Sequence, residues 1–224
     1  MRLVPLVAGF AVVLAFANHT NAQQGSEHHV VPLKEISKLA MDKRFETVSG
    51  DAAKPGAPFV IRIHAEAGYM IMPHRHPIDE NIVVVKGSWA FGMGDRFSRG
   101  SLEPMEVGAY GFVSKKMAHF ALSKTYTIIQ VHGIGPFTTQ WVEPVYELTE
   151  KGVLMKTGAE DPGRPIRTSP DGCFVLKLGA SVRSSYGEGL VVGAQCTPGE
   201  LTQYRIEKRD GERVWAESKE LKPL

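Results

Sequence analysis

Cysteine is nearly missing from the 224 residues, with only Cys173 and Cys196 present. That is too few for a disulfide framework, although in an exported chain the pair can close one bridge. Such a bridge would stabilise the chain by about 3 kcal/mol on the chain-entropy account; otherwise they are two separately buried thiols. Charge of one sign is also missing. Lys and Arg number 26 against 24 Asp and Glu, the net charge is +2, and no basic block occurs. Nothing therefore argues for nucleic acid or an anionic membrane surface as partner. A spanning hydrophobic run is missing as well. The longest, residues 3–17, has about 15 apolar positions where a span needs about 20. With Arg2 before it and Thr20, Asn21 and Ala22 after it, residues 1–22 read as a signal peptide. The mature chain would then start near Gln23 and be periplasmic or secreted. An uncleaved anchor or a buried helix is the other reading. Helical periodicity is scarce too. Only Leu33, Ile36, Leu39 and Ala40 recur at helical spacing, within an N-terminal arm over 23–43. His28 and His29 fall in this arm and read as an exposed tail.

What remains is short strands. Runs at 59–64, 82–85, 88–93, 109–113, 117–122 and 125–131 are β-branched or aromatic and broken by Gly, Pro or Asp. Regular short strands without long helices indicate an all-β sandwich or barrel. The chain is 43 % apolar and 22 % charged, as globular domains are.

The densest chemistry lies between Gly68 and Gly87. His74 and His76 stand two apart, so on a strand both rings point to one face. Glu80 follows after a short break, and His119 sits in another short strand-like stretch. Three imidazoles and a carboxylate suit a borderline divalent ion; manganese or iron fits, and zinc or nickel remains possible. By the same alternation Met70 and Met72 share a face with His74, and Met117 shares one with His119. These methionines are pocket-lining candidates or plain core. Gln130 and His132 share a face further on and are candidates to support the site. Glu66 is close in sequence but precedes Gly68, so no carboxylate outside the set is an obvious general base.

Gly68, His74, His76, Glu80 and Gly87 resemble the first motif of the cupin superfamily, G-x5-H-x-H-x3-E-x6-G, at every fixed position. The second motif, G-x5-P-x-G-x2-H-x3-N, is matched by Gly108 and His119, whereas Ser114, Lys116 and Ser123 replace its Pro, Gly and Asn. The loop before His119 is therefore expected to differ in shape. The resemblance covers about residues 44–145. It implies a double-stranded β-helix barrel over 44–149 with one metal held by His74, His76, Glu80 and His119.

After Pro144 the texture changes. Residues 150–171 read as a Gly- and Pro-containing linker, with a short element over 146–153 before it as an option. Strands resume at 174–178, 189–194, 204–208 and 213–217. Asp210-Gly211 is a hairpin signal, and a two-residue turn there would pair Ile206 with Trp215. Residues 172–224 resemble a small Src-homology-3-like or KOW-type barrel, expected to be a separable module without a part in the metal site.

The cupin resemblance implies a site and leaves the reaction open. One reading is an exported metal-dependent oxidoreductase of dioxygenase or decarboxylase type acting on a small oxygen-bearing substrate. Others are a sensor or carrier that binds metal or a small ligand, with the C-terminal region for protein contact, and a barrel merely stiffened by metal. Expected partners are a small molecule and, as an option, a second copy in a homodimer; no membrane is expected once the signal is removed.

Overall fold

The computed structural model describes residues 30–33, 44–157, 164–165 and 168–224. The signal peptide, the helical piece of the arm, and His28 and His29 lie outside the described residues. Residues 1–33 form one unit, of which Val30–Leu33 carry no regular element, and residues 34–224 form the other.

In the second unit the chain alternates between two sheets. Strand β1 (Phe45–Gly50) pairs with β2 (Pro58–Ala65); the chain crosses to β3 (Met70–Arg75), returns as β4 (Glu80–Lys86) and crosses again as β5 (Trp89–Met93). Short β6 (Glu103–Met105) extends the second sheet. Then β7 (Tyr110–Val113), β8 (His119–Ser123), β9 (Thr127–Ile134) and β10 (Gln140–Trp141) alternate in the same way. The first sheet has the order β1-β2-β9-β4-β7 and the second β10-β3-β8-β5-β6, all antiparallel. Inward residues of both sheets fill one core: Ile61, Ile63, Ile82, Val84, Ile129 and Val131 from the first, Trp89, Met105 and Ala121 from the second. Period-2 alternation dictates this set, because the intervening residues of β4, and Gln130 and His132 of β9, are less buried.

A third sheet covers the outer face of the second. Its strands are β11 (Val145–Leu148), β12 (Leu154–Thr157), β13 (Arg164–Pro165), β14 (Ser181–Ser184), β15 (Gly187–Thr197), β16 (Leu201–Lys208), β17 (Arg213–Glu217) and β18 (Lys222–Pro223). Long β15 takes β14 and β11 along one side and β16 along the other. Among the described residues no pairing closes this sheet into a barrel. The stretch expected as a linker over 150–171 contains β12 and β13, which pair with β11 and with each other. Residues 174–178 form no strand: Phe174 takes a left-handed φ of 60°, and the Leu176 amide donates to the Tyr204 hydroxyl at 2.9 Å. Cys173 and Cys196 are bonded, with Cα atoms 5.7 Å apart.

The β16–β17 register differs by one residue from the expected hairpin. Ile206 faces Val214, Tyr204 faces Ala216, and Trp215 faces Arg205. The cause is a longer connection, closed by the Lys208 amide on the Glu212 carbonyl at 2.9 Å. A one-residue slip exchanges the faces of a strand. Tyr204, Ile206, Val214 and Ala216 thus build the core of the third sheet. Trp215 and Arg205 turn to the barrel instead, where Trp215 joins the barrel core and stands 5.2 Å from the Tyr69 ring. Arg205, fully buried, is paired with Glu66, which also accepts from Trp215 Nε1 at 2.8 Å. Gln203 Nε2 donates to the Gly68 carbonyl at 2.8 Å, and Gln195 Nε2 to the Met70 carbonyl at 2.7 Å. The third sheet is therefore joined to the barrel by buried hydrogen bonds.

Candidate metal centre

The strand β3 carries the site, and a bulge decides which side chains enter it. Ile71 pairs with Ala121 but His74 pairs with His119, so β3 spends one more residue than β8. The extra residue breaks simple alternation. Ile71 and His74 line the cavity inside the barrel. Met70 and Met72 pack instead with Ala90, Leu122 and Val145. Neither methionine lines the cavity, which corrects the alternation argument. Met117 is half-exposed at 51 % and offers its carbonyl, not its side chain, to the site. Gln130 lies between Ile129 and Val131 on β9, whose side chains point inward, so it is placed on the other face. His132 has a buried Nδ1 with no hydrogen-bond partner among the described residues and is outside the cavity lining.

His74, His76 and His119 converge as expected. Their rings lie 4.2 to 5.2 Å apart between centroids, and one nitrogen of each falls within 4.8 Å of the others. Glu80, at the start of β4, brings Oε2 to 3.1 Å from His119 Nε2 and 3.7 Å from His76 Nε2. All four residues are buried. Each imidazole is held from behind. His74 Nδ1 meets the Met72 carbonyl at 2.8 Å, His76 Nδ1 the Thr138 carbonyl at 2.9 Å, and His119 Nδ1 the Met117 carbonyl at 3.1 Å. A carbonyl only accepts, so Nδ1 carries the proton and Nε2 keeps its lone pair. Phe137 stacks on His76 at 4.2 Å and Phe91 on His119 at 5.3 Å, which fixes the ring planes.

This arrangement provides its own test of fit for a cation. Three lone pairs and a carboxylate oxygen face one another in a dry place; His76 Nε2 and Glu80 Oε2 have no hydrogen-bond partner among the described residues. Such a set is mutually repulsive unless positive charge sits between its members. Protonated imidazolium is disfavoured there. Burial pushes His74 well below its ordinary 6.5, helped by His119 and His76. Burial also lowers His76, against the pull of Glu80. Neutral imidazoles whose second nitrogen is fixed by a carbonyl are the usual form of metal-bound histidine. The residues fit a divalent ion.

Two facing antiparallel sheets wound by alternate crossing, with three histidines and a glutamate of the two motifs gathered between them, decide the architecture. The barrel has the cupin fold. No family model and no curated protein matches the sequence. Among solved structures, the chain is similar to an RmlC-like cupin protein from Desulfovibrio desulfuricans, with 21 % identity and a TM-score of 0.36 over 48 % of this chain and 98 % of that one. KdgF from Halomonas sp. is similar at 15 % identity and a TM-score of 0.33, over 41 % of this chain and 79 % of that one. Salicylate 1,2-dioxygenase from Pseudoaminobacter salicylatoxidans, solved as an adduct with gentisate, is similar at 15 % identity and a TM-score of 0.31, over 35 % of this chain and 20 % of that one.

The barrel's cavity measures about 190 Å³. Beside the imidazoles and Glu80 its wall includes Ile63, Ile71, Ile82, Phe91, Ile129, Phe137 and Trp141. It also includes Arg44, Tyr69 and Glu147, which the sequence reading missed. For Tyr69 a signal existed: it stands two before Ile71 on the same face. Arg44 and Glu147 come from outside the motifs and had none. The loop before His119 was expected to change shape with the loss of its motif glycine. Lys116 at that position nevertheless takes the left-handed φ of 68°, and its amide donates to the His76 carbonyl at 2.7 Å.

Proposed function

We propose that the protein is a metal-dependent cupin enzyme, of oxidoreductase type, that acts on a small oxygen-bearing substrate inside the barrel. One divalent ion would be held by His74, His76, Glu80 and His119, with manganese or iron as first choice for this donor set. When bound, the ion would supply Lewis-acid or redox chemistry. The chain's own residues do the rest. The Met72, Thr138 and Met117 carbonyls hold the imidazole tautomers, so that three Nε2 atoms face the cavity. Phe91, Phe137 and Trp141 exclude water from the same space. The observation that carries the reading is this convergence of three imidazole nitrogens and a carboxylate oxygen at the wall of a largely apolar cavity. The Cys173–Cys196 bond supports export, since disulfides persist in oxidising compartments.

The test is oxygen uptake by the metal-loaded protein on a panel of small phenols and dicarboxylates. Metal-dependent uptake that disappears in Glu80→Gln is expected. A metal-loaded protein inert to every member, yet binding one of them, would favour the sensor or carrier reading.

A further inference from the structure

We infer that Arg44 selects the substrate, and that the cavity takes small carboxylic acids with an apolar body. This names a substrate class for the metal-dependent activity proposed above and rests on that reading for the chemistry that follows binding. The anion site itself stands on Arg44. It immediately precedes β1, is 6 % exposed, and lines the same cavity as the imidazoles. Its guanidinium lies over the Tyr69 ring at 3.9 Å and within 5.4 Å of the Trp215 ring. These rings hold the plane of the group, and Tyr69 also hydrogen-bonds it, yet one edge donor stays unsatisfied. Nη2 is buried with no hydrogen-bond partner among the described residues. An arginine cannot shed its proton to escape this, and a buried unmatched donor on a charged group is costly. A carboxylate presents two acceptors in the spacing of the guanidinium fork and is the matched ligand.

Two carboxylates act on Arg44 from nearby. Glu66 acts on Arg44 electrostatically but is already committed to Arg205 and Trp215. Glu147 lines the cavity and is the other carboxylate that acts on Arg44. The rest of the wall, including Ile63, Ile71, Phe91 and Ile129, is apolar. A single cationic anchor in a largely apolar cavity fixes orientation while the wall supplies the contact area.

Calorimetry on the purified full chain, manganese-loaded and metal-free, would compare acids with their neutral amides: acetate with acetamide, isobutyrate with isobutyramide, benzoate with benzamide. At least one acid should bind about tenfold or more tighter than its amide, as a charge-assisted fork predicts. Arg44→Met should bring acid and amide to within about twofold while metal content stays unchanged, and Arg44→Lys should keep part of the preference. The preference should survive in a His74→Ala/His76→Ala variant. No acid preference in the wild-type chain overturns the proposal. So does a preference that Arg44→Met keeps and the double histidine variant loses, because the carboxylate would then depend on the metal site. Should Arg44→Met fail to fold by circular dichroism, the wild-type pairs and Arg44→Lys decide. A wild-type chain that takes up no metal yet prefers acids would defeat the metalloenzyme reading and leave the Arg44 site standing.

Discussion

At the residue scale, the site depends on which backbone positions are strained and which are relaxed. Lys116 sits in the left-handed region where the cupin motif has glycine. A non-glycine residue pays about 1–2 kcal/mol there. Its amide still reaches the His76 carbonyl, so the turn that delivers His119 is kept at that cost. Lys116→Gly should therefore raise stability by about 1 kcal/mol in a denaturant melt and leave metal affinity alone; lower stability would show that the lysine side chain contributes more than its backbone costs. The four proposed ligands were legible because their chemistry is written as spacing: His74, His76 and Glu80 between Gly68 and Gly87, and His119 after Gly108. Met70, Met72 and Gln130 were misread because a one-residue bulge in β3 and the inward face of β9 are set by pairing partners, which no local period reveals. Arg44 was invisible for the opposite reason: nothing near it in sequence belongs to the site.

At the element scale, the informative join is between β17 and the turn before β3. Gly68 has a φ of 80°, and a Cβ there would fall 1.9 Å from the Trp215 carbonyl. The first motif glycine thus marks where the third sheet lies against the barrel. The Trp215 amide donates to the Ala67 carbonyl at 2.7 Å, and Glu66 holds both Arg205 and the Trp215 indole. Removing one partner of a buried pair strands the other charge. Glu66→Ala should cost about 3–5 kcal/mol, read from chemical denaturation. A loss under about 1 kcal/mol would mean that Glu150, which also contacts Arg205 at 2.6 Å, carries the arginine alone. The barrel strands were readable because alternation and turn residues agree locally. The β16–β17 register was not, since the four residues between those strands form a longer turn than Asp210-Gly211 suggests.

At the scale of the whole molecule, the expectation of a separable C-terminal module meets a shared interior. Trp215 belongs to the barrel core, and Met70 and Met72 of the barrel pack with Val145 and Leu201. Composition announced a change of texture after Pro144, but it cannot show that two sheets share a face. A chain ending near Thr149 was expected to keep its metal. The structure instead predicts that truncation uncovers Tyr69, Met70 and Met72 and leaves Glu66 unpaired, giving an insoluble or molten product. Sedimentation and near-ultraviolet dichroism of that shortened chain would decide; a monomeric fragment with a native spectrum would restore the separable module.

The central claim is that three imidazoles and a glutamate from the two motifs form a divalent-ion site. Elemental analysis of the purified full chain, after exposure to manganese, iron, zinc and nickel in turn and exhaustive dialysis, tests it most directly. About one ion per chain is predicted for the wild type. The His74→Ala/His76→Ala variant, folded by dichroism, should retain less than a tenth of that, since losing even a supporting contact costs about 10–100-fold in affinity. Stoichiometric metal in the double variant, or no uptake of any of the four ions by the wild-type chain, would contradict the account.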